Sequence, residues 1–579
     1  MWFLIFLVLL VIWAGGTYRY LYGTPSPFSL ESVRPPGPRE FDQKKRDKVI
    51  KQGFRLDKVP QNLDVIVIGS GIGGLAAGAT LAKAGKKVLV LEQHYQAGGC
   101  CHTYIEKGFE FDVGLHYIGQ VGENSLLRVA FDQISEGQLE FHELNQHFDT
   151  IHIGLGDEKR EYTILSGKTE MKAHLMKQFP DDTEAIETFF KIMKVSAKHA
   201  YYLAILKLIP QWVSLFLLKS GIGNLASSVF RLSGTCATDF VNTLTSNKDL
   251  HVIFAYLFYG VPPKDSSIMI NALLIHHYKR GAFYPKGGAS EIAFHIIRTI
   301  QKYGGNCLVR APVSRILVNE KGEAYGVKVR KGQEEVEVLA PVVVSNCGIF
   351  TTFQKLLPPE IRVKTDIQER LDIMKHGRGS FLVFSGFDGT EEELGLKSTN
   401  IWLFKDNDMD KSMNDFFALS KEEAPDNIPM MMITIPSSKD PEAKIRHPGT
   451  NTHYFFSTVD KNEFPKIRDK LVFQEVATPL TNMHYLGAQR GAMYSSEHNL
   501  ERFRAETVAR NRCSTPVKNL YISGQDVFSC GIAGALHGGL LCASAVLDHI
   551  VYLDLVVLKK TLKKRKAREL AQLAKKKLQ

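Results

Sequence analysis

Short apolar runs alternating with small-residue stretches organise much of this chain. Asp64-Val65-Ile66-Val67-Ile68 is a β-branched run, the pattern of a strand buried on both faces. It leads directly into Gly69-Ser70-Gly71-Ile72-Gly73-Gly74. Leu75 to Lys83, rich in Ala and Leu, predicts a helix that Gly85 stops, and Lys87-Val88-Leu89-Val90-Leu91 predicts a second buried strand ending at Glu92. Further on, Ser290 to Tyr303 reads as a helix. Cys307-Leu308-Val309, Val313 to Val318, Ala324 to Val329 and Glu335 to Leu339 alternate like the strands of a meander turning at Lys321-Gly322. Pro341 to Ser345 is a buried strand returning to the main sheet. Asn519 to Asp526 is a strand ending in a glycine turn and an acid, and Gly531 to Gly539 opens a small-residue helix. Strand and helix patterns in this order predict an α/β fold.

The first β-α-β unit carries a specific chemistry. Gly69 permits the tight turn, Gly71 lets a pyrophosphate approach the backbone, and Gly74 lets helix and strand pack closely. The helix N-terminus offers free N–H groups and a positive dipole end to phosphates. Glu92, 18 residues beyond Gly74, is placed to accept both hydroxyl hydrogens of a ribose. Strand, glycines, helix, strand and acid in sequence predict a dinucleotide site built on Gly69, Ser70, Gly71, Ile72, Gly73, Gly74 and Glu92.

Beyond Glu92 the run Gln93-His94-Tyr95-Gln96-Ala97-Gly98-Gly99, followed by Gly108-Phe109-Glu110-Phe111-Asp112-Val113-Gly114, resembles the FAD-dependent amine oxidase and phytoene desaturase superfamily. The resemblance spans residues 63–549 and is closer still to the all-trans-retinol 13,14-reductases (retinol saturases). It rests on Ala97 to Tyr104, Gly114 to Gly119, His276 to Gly281 and Tyr485 to Gly491. It implies FAD as cofactor, with Gln93, Gly98 and Gly99 beside the pyrophosphate and the Val313 backbone against adenine. It also implies Gly524 and Asp526 at the ribityl–phosphate region and the helix start near Ala533 aimed at the flavin pyrimidine. The implied architecture is a Rossmann-type FAD-binding domain assembled from discontinuous segments (63–130, 282–350 and 515–549), plus an inserted α+β substrate domain (131–281 and 351–514). The implied substrate is a retinoid or other polyene lipid, and the implied location is the endoplasmic reticulum membrane. NAD(P)H is the candidate electron donor, although no dedicated domain for it is visible: Gly221-Ile222-Gly223-Asn224-Leu225-Ala226 mimics a second fingerprint without a preceding strand.

Charge and the flanks add a membrane surface and remove nucleic acid. Of the net charge of +11, nine units sit in residues 559–579, where ten Lys/Arg face Glu569 alone. The body is nearly neutral, and the basic tail (550–579) suits either an anionic membrane or a solvated terminal helix. Trp2 to Trp13 is unbroken apolar sequence within an uncharged segment 1–18, and Arg19, Arg34, Arg39 and Lys44 follow it. That order predicts a signal or signal-anchor that keeps the body cytosolic. None of the twenty asparagines begins an Asn-x-Ser/Thr sequon, which agrees with that side. The chain ends Lys576-Lys577-Leu578-Gln579, resembling a dilysine retrieval signal. Residues 19–62, rich in Pro and charge, read as a linker. Tyr201 to Leu218 is densely apolar, interrupted by Lys207 and Pro210. It reads as a buried core helix pair ahead of an interfacial segment admitting an apolar substrate. Eight cysteines without a CxxC pair predict reduced thiols and no structural zinc. His276-His277, taken as a strand, points its rings to opposite sides and argues against a metal site.

The expected activity is an FAD-dependent saturation of a C=C bond, in which proton transfer to the polyene precedes hydride transfer. His116 and Tyr284, each in a motif expected near the flavin, are the candidate proton donors. A carotenoid-type desaturase or isomerase is the rival within enzymes. A non-catalytic lipid carrier like the Rab GDP-dissociation inhibitors is the rival outside them, opposed by intact Gly69, Gly71, Gly74, Glu92 and Asp526.

Overall fold

The computed structural model describes residues 15–16, 18, 25–447, 450–455 and 467–578. The apolar run of residues 1–18 lies outside the described residues except at Gly15, Gly16 and Tyr18, and the dilysine-like end lies outside them at Gln579.

Five parallel strands form the central sheet: β1 (Val65–Ile68), β2 (Val88–Leu91), β3 (Asn306–Leu308), β4 (Val342–Ser345) and β5 (Leu520–Ile522). Their spatial order is β3-β2-β1-β4-β5, in register Val65 with Val88 and with Val342. The order reverses between β1 and β4, and ligands of such sheets lie at the carboxyl ends of the strands at that switch point. Cys307-Leu308 therefore belongs to the main sheet edge rather than to the meander. The meander is Val313–Val318, Ala324–Lys331 and Glu334–Leu339. Helix α1 (Ile72–Lys83) begins at the glycines themselves, three residues earlier than its Ala/Leu content predicts, and all of it but Lys83 is buried.

A mixed seven-stranded sheet forms the second half, in the order Leu471–Ala477, Leu382–Asp388, Thr450–Phe455, Met430–Thr434, Asn400–Phe404, His147–Ile153, Arg160–Leu165. Helices between residues 170 and 278 pack on it around an aromatic core that includes Phe148, Phe189, Phe254 and Tyr256. A small sheet of Ile118–Gly119, Ala282–Pro285 and Phe141–Glu143 lies between the halves.

Several expectations change. The stretch read as a linker is docked: Phe28, Ile50 and Phe54 are buried in the core of the dinucleotide half, and the Phe54 N–H donates to the Val309 carbonyl at 2.9 Å. Arg39 and Arg46 both pair with the buried Glu291. That core also takes in Phe131, Ile134 and Leu139 and, beyond residue 350, Phe353, Leu357, Ile367 and Leu371. The unit thus extends past the expected boundaries at 130 and 350. Residues 201–226 form three short helices, α2 (Tyr201–Leu208), α3 (Gln211–Lys219) and α4 (Ile222–Ala226). Pro210 lies between the first two. Leu203, Leu206 and Ser214 face inward, while Trp212 is 74% and Phe216 60% exposed. This is a one-sided surface layer, not a buried core pair. Gly221 caps α4 with a left-handed φ of 78° and no strand precedes it. His276 and His277 end a helix, α5 (Ile268–Tyr278), not a strand.

The far end consists of α6 (Gly531–Leu547) and α7 (Val551–Leu578). The expected basic tail begins as packed structure, since Val551, Leu555 and Leu558 are buried. Among the described residues no single helix is long and apolar enough to cross a membrane. The α6–α7 pair meets that composition only jointly, across a bend of 117°.

Candidate functional site

The two glycine motifs, more than four hundred residues apart, meet face to face. A Cβ built on Gly73 would lie 2.5 Å from the Gly524 Cα, and one on Gly74 would overlap the Gly69 carbonyl oxygen. Gly538 and Gly539 of α6 likewise abut the backbone of Gly524 and Gly73. Only glycine allows backbones to approach so closely. The contact sets the N-termini of α1 and α6 beside one cavity, and neither helix has a side-chain cap. Their first N–H groups and dipole ends remain for a ligand.

At the end of β2 the Glu92 carboxylate is buried. One oxygen accepts from the Ser70 N–H (3.0 Å) and hydroxyl (2.6 Å), the other from the His94 N–H and Nδ1, both 3.0 Å. The Ser70 hydroxyl in turn accepts from the Gly98 N–H at 3.0 Å. Ser70 thus ties the acid to the second glycine pair. Burial pushes the Glu92 carboxyl up, but the hydrogen bonds and charge from His94 and the bond from Ser70 outweigh it and hold the group down at about 2. A carboxylate has about four acceptor positions, so ribose hydroxyls would replace a present donor. His94, which also lines the cavity, is the exchangeable one.

Gly99, at a φ of +54°, presses on Gly71: its added Cβ would sit 3.0 Å from the Gly71 Cα. Ile72, Gln93, Val313, Gly524's neighbours Ser523 and Gln525, and Ala533 line the cavity or its walls. Asp526 lines it too, but its carboxylate is already engaged. Oδ2 accepts from the Ile349 N–H and the Ser495 hydroxyl, both 2.7 Å, and Oδ1 from the Ser496 N–H (3.1 Å) and hydroxyl (2.6 Å). Asp526 ties its own turn to the two segments at Ile349 and Ser495–Ser496, and contact with a ligand would require it to give up one of these bonds. A residue the sequence pattern did not flag, Asn346, follows β4 at the switch point. Its Nδ2 lies 3.1 Å from a Cβ built on Gly71, and its N–H donates to the Ile68 carbonyl at 2.8 Å. Two open helix ends, a glycine loop pressed on Gly71 and a buried acid at the second strand fit a phosphate-bearing dinucleotide such as FAD.

The cavity measures about 2800 Å³ and runs from this cradle to Tyr201 and Ile205 on α2. Ordinary small-molecule sites occupy roughly 300–1,000 Å³, so there is room for a dinucleotide and a second molecule beside it. The walls near the start of α6 are aromatic. Tyr259 and Tyr494 stack with centroids 5.2 Å apart, and the Tyr259 hydroxyl lies 3.7 Å from a Cβ built on Gly531. Burial raises both phenols well above 10.

The two expected proton donors fare differently. Tyr284 does not line this cavity. Its hydroxyl donates to Asp112 at 2.5 Å, inside a buried cluster with Glu110, Asp440 and Arg446. His116 does line the cavity, but burial and then the nearby Lys439 charge push its imidazole down to about 3. It therefore carries no imidazolium proton to give at physiological pH. The Lys439 ammonium donates to the His116 carbonyl at 2.9 Å and also bonds Asn400, which donates to the buried Asp149 at 2.8 Å. The histidine pair serves structure: the His277 Nε2 accepts from the Gly119 N–H at 2.8 Å, and His276 pairs with Gln120 at 2.9 Å. No group of three metal-ligating side chains occurs among the described residues.

Residues 67–134 match the model of an NAD(P)-binding Rossmann-like domain. The chain is 49% identical to a zebrafish (Danio rerio) protein named inactive all-trans-retinol 13,14-reductase, over 98% of this chain and all of that one. It is 41% identical to the Danio rerio all-trans-retinol 13,14-reductase, over 96% and 97% of the two chains. Among solved structures, a putrescine oxidase superimposes with a TM-score of 0.55 at 15% identity, covering 84% of this chain and 98% of that one.

Proposed function

The chain belongs to the all-trans-retinol 13,14-reductase family. From that premise we propose that it is an FAD-dependent oxidoreductase that saturates a C=C bond of a retinoid, the 13,14 bond of all-trans-retinol before others. The observation that carries this is the continuous cavity of about 2800 Å³, which joins the glycine cradle to an apolar half. NAD(P)H is the reductant class proposed to reload the cofactor. The apolar residues 1–18, the basic residues after them and the absence of sequons support an endoplasmic reticulum membrane location with a cytosolic body.

Bound FAD supplies the hydride. The residues of the chain do the rest. Gly71, Gly99 and the α1 start hold the phosphates, and Glu92 takes the ribose. The α6 start, uncapped beside the cavity, would stabilise negative charge on a flavin ring bound there. Tyr259 and Tyr494 hold the transferable proton at Oη, in place of His116 and Tyr284. Phenols raised this far are weak acids. They would give up a proton to carbon only where negative charge develops beside them. The apolar walls exclude water from that step.

A second reading is favoured by one fact, that the 49% identical relative is named inactive. In it the chain keeps the cofactor and turns over a different polyene, or none. Both readings require the cradle. Glu92→Ala is expected to weaken FAD affinity by about 1.5–3 kcal/mol, the worth of a charged acceptor, read by equilibrium dialysis of the purified yellow protein. Unchanged affinity in a folded variant removes Glu92 from the ribose site.

A further inference from the structure

Cavity-lining residues that are also exposed mark where the cavity opens. One opening lies at Tyr201 and Ile205 of α2 and Val556 of α7. A second lies at Phe381, Phe417 and Met483. Their surroundings differ in charge. The second is flanked by the segment 415–426, which sets four acids, Asp415, Glu422, Glu423 and Asp426, the last lining the cavity itself, against Lys421 and the Arg378 guanidinium stacked on Phe417. The first has no acid anywhere in residues 201–226, and its other bank is α7, where Lys559 and Lys563 line the cavity and the helix runs on strongly basic past them, with Glu569 as its one acid beyond Lys559; Glu123, an exposed acid that also lines the cavity, is already paired with Lys566 of α7.

Around the first opening, apolar side chains project outward instead of packing. Tyr201 and Ile205 are four residues apart on α2, and Trp212 and Phe216 are four apart on α3. Each pair therefore lies on one helix face. Leu225 of α4 is 89% exposed. A surface of aromatic and aliphatic groups beside a basic helix is the composition of an interfacial membrane contact.

We propose that this opening docks on an anionic lipid bilayer: α2, α3 and α4 enter the interface, the basic face of α7 lies on the headgroups, and the apolar substrate passes between membrane and cavity without crossing water. The proposal rests on the apolar-substrate reading above. Its test reads lipid contact and not turnover, so the two fail separately.

The chain has four tryptophans, Trp2, Trp13, Trp212 and Trp402. In the full-length FAD-loaded protein carrying Trp2→Phe and Trp13→Phe, Trp212 is the exposed emitter and Trp402 the buried one. Vesicles of phosphatidylcholine and phosphatidylserine with brominated acyl chains are added, and bound protein is measured by sedimentation. The expected result is quenched and blue-shifted emission that disappears when Trp212→Phe is added. Phe216→Glu with Leu225→Glu is expected to lower the quenching about tenfold or more, since two large apolar groups are lost from the interface. Phosphatidylcholine vesicles alone, or high salt, are expected to weaken it. Sedimentation with vesicles without any quenching of Trp212 overturns the proposal. So does quenching that is insensitive to Phe216→Glu/Leu225→Glu. Equal quenching on neutral vesicles overturns the role of α7.

Discussion

Tyr259→Phe combined with Tyr494→Phe is expected to slow retinoid turnover by about 10²–10⁴-fold, the usual worth of a positioned proton donor, while FAD stays bound. Both rings line the cavity beside the α6 start and stack on each other. Phenylalanine keeps that stacking and removes only the hydroxyls. The comparison variants make the result specific. Tyr284→Phe removes a bond to Asp112 outside the cavity, so it is expected to cost stability and leave the turnover of folded protein close to normal. His116→Phe alters a neutral wall residue. If Tyr284→Phe or His116→Phe matches the double tyrosine variant at full FAD occupancy, the proton comes from the residues first expected. Rapid single-turnover measurement separates the cases, because only loss of a donor slows the chemical step.

Gly74→Ala is expected to abolish the holoprotein. The added methyl would overlap the Gly69 carbonyl oxygen, backbone of the turn itself that cannot move aside, and press on the Asn346 side chain. Overpacking usually costs about 1–3 kcal/mol and occasionally more. Here it falls on the turn that holds the phosphates, so FAD is lost even where the chain still folds. Gly332→Ala is the control. Its φ is +63° with open space around it, so it carries left-handed strain of about 1–2 kcal/mol and no clash. The check is flavin content per purified chain together with thermal unfolding. A yellow, stable Gly74→Ala protein would contradict the close packing of the two glycine motifs.

These outcomes follow the division between what was legible in the residues and what was not. The strand–glycine–helix–strand–acid unit needs only neighbours in sequence, so Gly69 to Gly74 and Glu92 stand where the pattern places them. The pairing of that unit with Gly524, Gly538 and Gly539 was legible only as two separate motifs. Their contact is a tertiary fact written in the missing Cβ atoms. Asn346 carries a local signal, since it directly follows a strand expected to return to the sheet. Tyr259 and Tyr494 carried none: Tyr259 lies in an unremarkable apolar stretch, and Tyr494 in a polar loop between Arg490 and Glu497.

The misreadings have physical causes as well. Pro and charge between residues 19 and 62 mimic a linker, yet Phe28, Ile50 and Phe54 anchor it and Arg39 and Arg46 reach the buried Glu291. Local composition does not show where such anchors land. Tyr284 lies on a cavity strand, but alternation along Ala282–Pro285 turns its hydroxyl toward Asp112, while Phe283 lines the cavity. A one-residue choice of face decides whether a side chain meets the substrate. His116 is in place, and burial sets its protonation state against the expected role.

The most direct measurement is anaerobic. The bound FAD is reduced, all-trans-retinol is added, and flavin reoxidation is followed together with product mass and absorbance. The expected result is stoichiometric reoxidation with a product heavier by two hydrogens that absorbs at shorter wavelength, because one double bond has left the conjugated chain. A protein that binds FAD, is reduced, and neither reoxidises nor changes retinol would contradict the retinoid-saturating activity.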